Sequence, residues 1–197
     1  MAMISKACPP SVRRAGRRRL RRAYRQGDLD GLCGVYSVIN AVRAICHEVD
    51  DDAAAWLFDT LIQAMPKAGA DPSTAVANGI GRAEVACLIN EAISYVREEY
   101  DIELVARRLP KELRRTTDLE QLWQALATAV SPTCVAVLGL AGRQSHWTVA
   151  VQISAQQIRL FDSGTMGVLR RSRCTVGRAV KRYGISPPHV FLIERRE

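Results

Sequence analysis

The chain has 197 residues, 48% of them apolar, which is enough for one globular core and too apolar for a disordered chain. Its formal charge of +8 is uneven: residues 1–27 hold nine basic side chains and no acid, while the rest holds 19 basic and 20 acidic ones. The charge therefore says little about the domain itself, and no stretch approaches the ~20 apolar residues of a membrane-spanning helix.

Residues 1–25 read as an arginine-rich arm, with Arg13, Arg14, Arg17, Arg18, Arg19, Arg21, Arg22 and Arg25 in close succession. Such a segment has too few apolar residues to pack much, and Arg13–Arg25 suit contact with a polyanion, either nucleic acid or anionic lipid. Residues 26–197 read as one domain. It opens with a turn-rich stretch, Gln26 to Gly31. Val35, Val38, Ile39, Val42, Ile45 and Cys46 then recur at helical spacing, predicting a helix from near Cys33. Asp50, Asp51 and Asp52 supply a cap and first-turn charge for a second helix, Ala53 to Met65. Residues 66–80 read as a long loop, and 82–99 as an amphipathic helix.

A short strand is expected from Ile102 to Ala106. Thr117 and Glu120 read as a capping box for a helix reaching Val130. Thereafter the pattern turns to β: Thr133–Leu140, His146–Ile153, Gln157–Asp162 and Val190–Glu194. The expected fold class is α+β, with N-terminal helices packed on a C-terminal antiparallel sheet.

None of the six cysteines forms a C-x-x-C pair, which speaks against a redox motif or zinc knuckle. Cys87 and Cys134 lie among apolar residues and read as small buried hydrophobes. The basic run is not followed by an apolar core and cleavage site, so free thiols and a cytoplasmic setting are expected.

Cys33 follows a glycine-containing loop and opens a helix, where the partial positive charge of the helix start favours thiolate. Gly31 and Gly34 would leave room for a substrate backbone. His146 opens a strand beside a loop, so it can be both held and exposed. His47 and His189, the other two histidines, have less suitable surroundings. Asp162 ends the next strand. A hairpin turning at residues 154–156 would set it roughly opposite His146, where it can orient the ring. Gln26 lies seven residues before Cys33, and its amide could stabilise an oxyanion.

Gln26, Cys33-Gly34-Val35-Tyr36-Ser37-Val38-Ile39-Asn40-Ala41, His146-Trp147 and Leu160-Phe161-Asp162-Ser163 together resemble the papain-like cysteine peptidase superfamily. Within it the chain looks most like the bacterial C39-like peptidases and the Josephin-type deubiquitinases. The resemblance implies a papain-like fold and a thiol hydrolase acting on a peptide or isopeptide bond. It implies Cys33 as nucleophile, His146 as base and acid, Asp162 as orienter and Gln26 as oxyanion donor, with a peptide or protein substrate; no cofactor or metal is expected. Gln26 stands farther from the cysteine than the family's glutamine does. Two other readings fit the residues: an acyltransferase or transglutaminase-like enzyme on the same triad, and a non-catalytic module binding through its basic arm. Charge alone suggests that residues 66–80, and Arg107, Arg108, Lys111, Arg114 and Arg115, line the cleft.

Overall fold

The structure, a computed structural model, describes residues 22–27, 30–142, 145–177 and 181–196. The expected arm lies outside the described residues up to residue 21, so its polyanion contact has no structural counterpart here. Its last residues are part of the fold. The Tyr24 backbone N–H donates to Asn40 Oδ1 at 2.8 Å, and Asn40 Nδ2 donates back to the Tyr24 carbonyl at 3.1 Å. The Arg43 guanidinium sits 4.2 Å from the Tyr24 ring centre. The Arg43 guanidinium also donates to the Arg22 carbonyl at 3.1 Å, so backbone and ring together dock this segment on the helix that carries Asn40 and Arg43.

Among the described residues five α-helices and seven strands follow: α1 (Cys33–Ile45), α2 (Asp51–Ala64), α3 (Pro72–Asn78), α4 (Arg82–Tyr100), β1 (Leu104–Arg108), α5 (Leu119–Ala129), β2 (Cys134–Ala141), β3 (His146–Ile153), β4 (Gln157–Leu160), β5 (Val168–Arg170), β6 (Cys174–Val176) and β7 (Tyr183–Arg195). The sheet runs β1-β7-β2-β3-β4-β5, with β6 joined to β7. Every ladder is antiparallel except β6–β7, which is parallel. The fold is thus α+β, as the sequence pattern led one to expect. No helix among the described residues is long and apolar enough to cross a membrane.

The core has two layers, because β2 is buried on both faces. Val135 and Val137 join Val149, Phe191 and Ile193 against α1, α2 and α4. Ala136, Leu138 and Leu140 point the other way, toward Leu122, Trp123 and Leu126 of α5. A continuous apolar run such as Cys134–Leu140 is what a strand covered on both faces requires.

Several boundaries differ from expectation for identifiable reasons. The 66–80 segment contains α3, capped by the Asp71 carboxylate on the Thr74 N–H and opened by Pro72. The cap of α5 is Asp118 rather than Thr117: its carboxylate accepts from the Glu120 and Gln121 N–H groups. The first strand begins at Leu104, two residues later than expected. Cys87 is only half-buried, unlike Cys134.

The last strand starts at Tyr183, well before Val190, despite Pro187 and Pro188. Leu138 pairs with Val190, yet Leu140 pairs with Ile185. Residues 186–189 therefore bulge out of the ladder opposite Gly139, where a proline forfeits no sheet hydrogen bond. Gly139 makes the bulge possible: a Cβ there would lie 2.5 Å from the Cβ of His189.

Candidate active site

The N-terminus of α1 meets the start of β3 and the end of β4 at a cleft of about 1680 Å³. Gln26, Cys33, His146 and Asp162 all line it. Four residues spread over more than half the chain are thus brought to one wall.

Cys33 is the first residue of α1 and is 8% exposed. The first turn of α1 carries no acidic residue, so no carboxylate there offsets the partial positive charge of the helix start. Asp30 clasps the loop before it. One carboxylate oxygen accepts the Leu32 N–H at 3.0 Å and the other the Gly27 N–H at 2.6 Å.

The two glycines beside Cys33 serve the protein's own packing, not a substrate backbone. A Cβ on Gly34 would lie 2.6 Å from Ile80 Cγ1, and one on Gly31 would lie 2.6 Å from the Gly79 backbone nitrogen. The Gly31 N–H donates to the Val76 carbonyl at 2.6 Å, and the Trp147 indole N–H to the Ile80 carbonyl at 3.0 Å. The segment after α3 is pinned between α1 and β3 and forms one wall of the cleft.

His146 Nε2 meets Asp162 Oδ1 at 2.7 Å. The hairpin register behind this pair differs from expectation. Ala150 pairs with Leu160 and Ile153 with Ile158, so the ladder, continued, sets Asp162 level with Thr148. Asp162 is therefore a diagonal neighbour of His146, a separation that long side chains span. The turn is held by the Ser154 N–H on the Gln157 carbonyl. The other Asp162 oxygen accepts the Gly164 N–H at 2.9 Å and the Met166 N–H at 3.2 Å. These bonds fix the carboxylate independently of the imidazole.

The electrostatics follow from this geometry. Burial pulls the His146 pKa down, but hydrogen bonds to Asp162 and Cys33, and the negative charge of both, carry it up to about 9. Burial pushes Asp162 up, yet its bond to His146 outweighs that and holds the carboxyl below the usual range. Because Nε2 is taken by Asp162, Nδ1 is the nitrogen left for the thiol. A buried carboxylate thus favours the protonated form of a ring that shares its cleft with Cys33.

Gln26 is tied to the same structure through its backbone, whose N–H donates to the Ser163 carbonyl at 3.0 Å. Its amide Nε2 donates to the Asp30 carbonyl at 2.6 Å, while its Oε1 is buried with no hydrogen-bond partner among the described residues. The amide thus lines the cleft with one N–H engaged and one to spare.

The charges that line the cleft come from elsewhere than expected. Ala77 to Ile80 do line the cleft, but none of Arg107, Arg108, Lys111, Arg114 and Arg115 does. Arg107 pairs with Glu194, and Arg108 donates to the Pro188 carbonyl. Lys181 and Arg182 line it instead. Their only sequence signal was a pair of cations just before a strand whose start the two prolines obscured.

The fold and site together define a mixed α/β protein with a cysteine, a histidine and an aspartate gathered at one cleft. No protein-family model and no curated protein matches the chain.

Proposed function

We propose that this chain is a papain-like thiol hydrolase that cleaves a peptide or isopeptide bond. The observation that carries the reading is the His146–Asp162 pair, 2.7 Å apart, in the same cleft as Cys33 at a helix start. A helix start, an imidazole and a buried carboxylate in series are the arrangement that makes a thiol a nucleophile.

The Cys33 sulfur attacks the carbonyl carbon, and the carbonyl oxygen takes the displaced electron pair. Donors for that oxyanion are the Cys33 backbone N–H and the free N–H of the Gln26 amide. Each such donor is worth about 2.7–4 kcal/mol. As the intermediate collapses, the carbon–nitrogen bond breaks and His146 gives its proton to the leaving amine. Water then attacks the thioester, His146 accepts a proton from it, and the carbon–sulfur bond breaks to free the acid and Cys33. Asp162 keeps its charge throughout and holds the ring with Nδ1 toward the sulfur.

Transfer to an amine would use the same thioester. The two outcomes separate by mass spectrometry of a peptide mixture in ¹⁸O-water with an added amine. Hydrolysis places ¹⁸O in new C-termini, in wild type and not in Cys33→Ala. Amine adducts in place of ¹⁸O would make the protein an acyltransferase. Products persisting in Cys33→Ala would remove the thiol from the reaction.

A further inference from the structure

The charges of the cleft are sorted by depth. Among the described residues its charged lining consists of Asp30, His146, Asp162, Lys181 and Arg182, besides the thiol. Both carboxylates are committed to the protein itself. Asp162 is 7% exposed and takes His146 and two backbone N–H groups. Asp30 takes the Gly27 and Leu32 N–H groups. Lys181 and Arg182 are exposed at the rim, and neither has an ion-pair partner among the described residues.

The rim is also anchored. The Arg182 guanidinium lies 5.4 Å from the centre of the Tyr183 ring, and Tyr183, which also lines the cleft, pairs with Cys174 in the β6–β7 ladder. Much of the remaining lining is apolar, including Ile80, Leu140, Trp147 and Met166. Low-dielectric walls below two unpaired cations focus a positive potential on whatever enters. A guanidinium held on an aromatic face is moreover well placed for a bidentate carboxylate contact.

We propose that the cleft selects peptide segments carrying an acidic side chain near the bond to be cut, with Lys181 and Arg182 as the specificity-determining residues. This rests on the thiol-hydrolase reading and adds its substrate class. Basic segments are disfavoured by the same rim, and the preference weakens with salt as the exposed charges are screened.

The full-length chain tests this without a known substrate. Iodoacetate and iodoacetamide alkylate a thiol alike but differ in charge. The ratio of their rates at Cys33, read by peptide mapping, reports the potential along the approach. Charge reversal in Lys181→Glu/Arg182→Glu should lower that ratio about tenfold at low salt, with Lys181→Gln/Arg182→Gln intermediate. A ratio that is the same in all three proteins overturns the acidic-substrate proposal. If iodoacetamide fails to label Cys33 of the wild type at all, the thiol-hydrolase reading itself fails, which is a separate result.

Discussion

Replacing Asp162 by Asn removes one charge and little volume, and the consequences can be worked through. The rise of the His146 pKa from 6.5 to about 9 corresponds to about 3 kcal/mol. Asp162 supplies the larger part of the upward push and Cys33 the rest. An opposite charge at this range is worth about 1–3 pH units, so Asp162→Asn should lower the His146 pKa by more than one. The Asn oxygen can still accept from the Gly164 and Met166 N–H groups, so the loop should survive. Its NH₂ would then face Nε2 and favour a ring with the proton on Nδ1, turned the wrong way for accepting one from the thiol.

The effect on stability has a definite sign. A folded-state value above the ordinary one means that the pair stabilises fully below pH 6.5, and that this is lost as pH rises through about 9. Asp162→Asn should therefore be less stable than wild type by about 2 kcal/mol near pH 6, with the gap closing in alkali. The lowered Asp162 pKa is the same interaction seen from the other end and adds nothing to this figure. Ring-selective NMR titration of His146, with denaturant melts across the pH range, gives both quantities. If His146 titrates at the same pH with and without the Asp162 carboxylate, the electrostatic basis of the site is wrong.

Two further substitutions test how the cleft is held. Gly34→Ala puts a methyl group 2.6 Å from Ile80 Cγ1 and 3.1 Å from Val85 Cγ2, and should cost about 1–3 kcal/mol in a urea melt; an unchanged midpoint would mean that the cleft wall is not fixed against α1. Asn40→Ala removes both hydrogen bonds to the Tyr24 backbone, should cost about 1–3 kcal/mol, and should speed tryptic cleavage at Arg22 and Arg25. Unchanged proteolysis would show that the tether does not order this segment.

The parts of this architecture that sequence made legible are those governed by short-range periodicity. The stripe from Val35 to Cys46 is buried throughout, and Asp50 caps α2 through the Ala53 N–H. Cys33, His146 and Asp162 stand in the one cleft because each sits at an element end that local pattern could locate. What escaped was set by contacts distant in sequence. The purpose of Gly31 and Gly34 depends on Gly79 and Ile80, which reach them only through the fold. The strand through Pro187 and Pro188 depends on a bulge opposite Gly139 in another strand. The short helix α3 buries only Ala75, too little for an apolar stripe, although Asp71-Pro72 was a usable signal. Lys181 and Arg182 reach the cleft through the β6–β7 pairing, which no local pattern announces.

Activation of the Cys33 thiol by His146 is the central claim, and two cysteines of this chain can be raced to test it. Cys87 is half-buried, whereas Cys33 is 8% exposed. If accessibility alone governed reactivity, limiting iodoacetamide below pH 7 would modify Cys87 first. The Cys33–His146–Asp162 arrangement predicts the reverse order, with Cys33 labelled first and slowed in His146→Ala while the Cys87 rate stays the same. Labelling of Cys87 ahead of Cys33, or a Cys33 rate indifferent to His146, would contradict it.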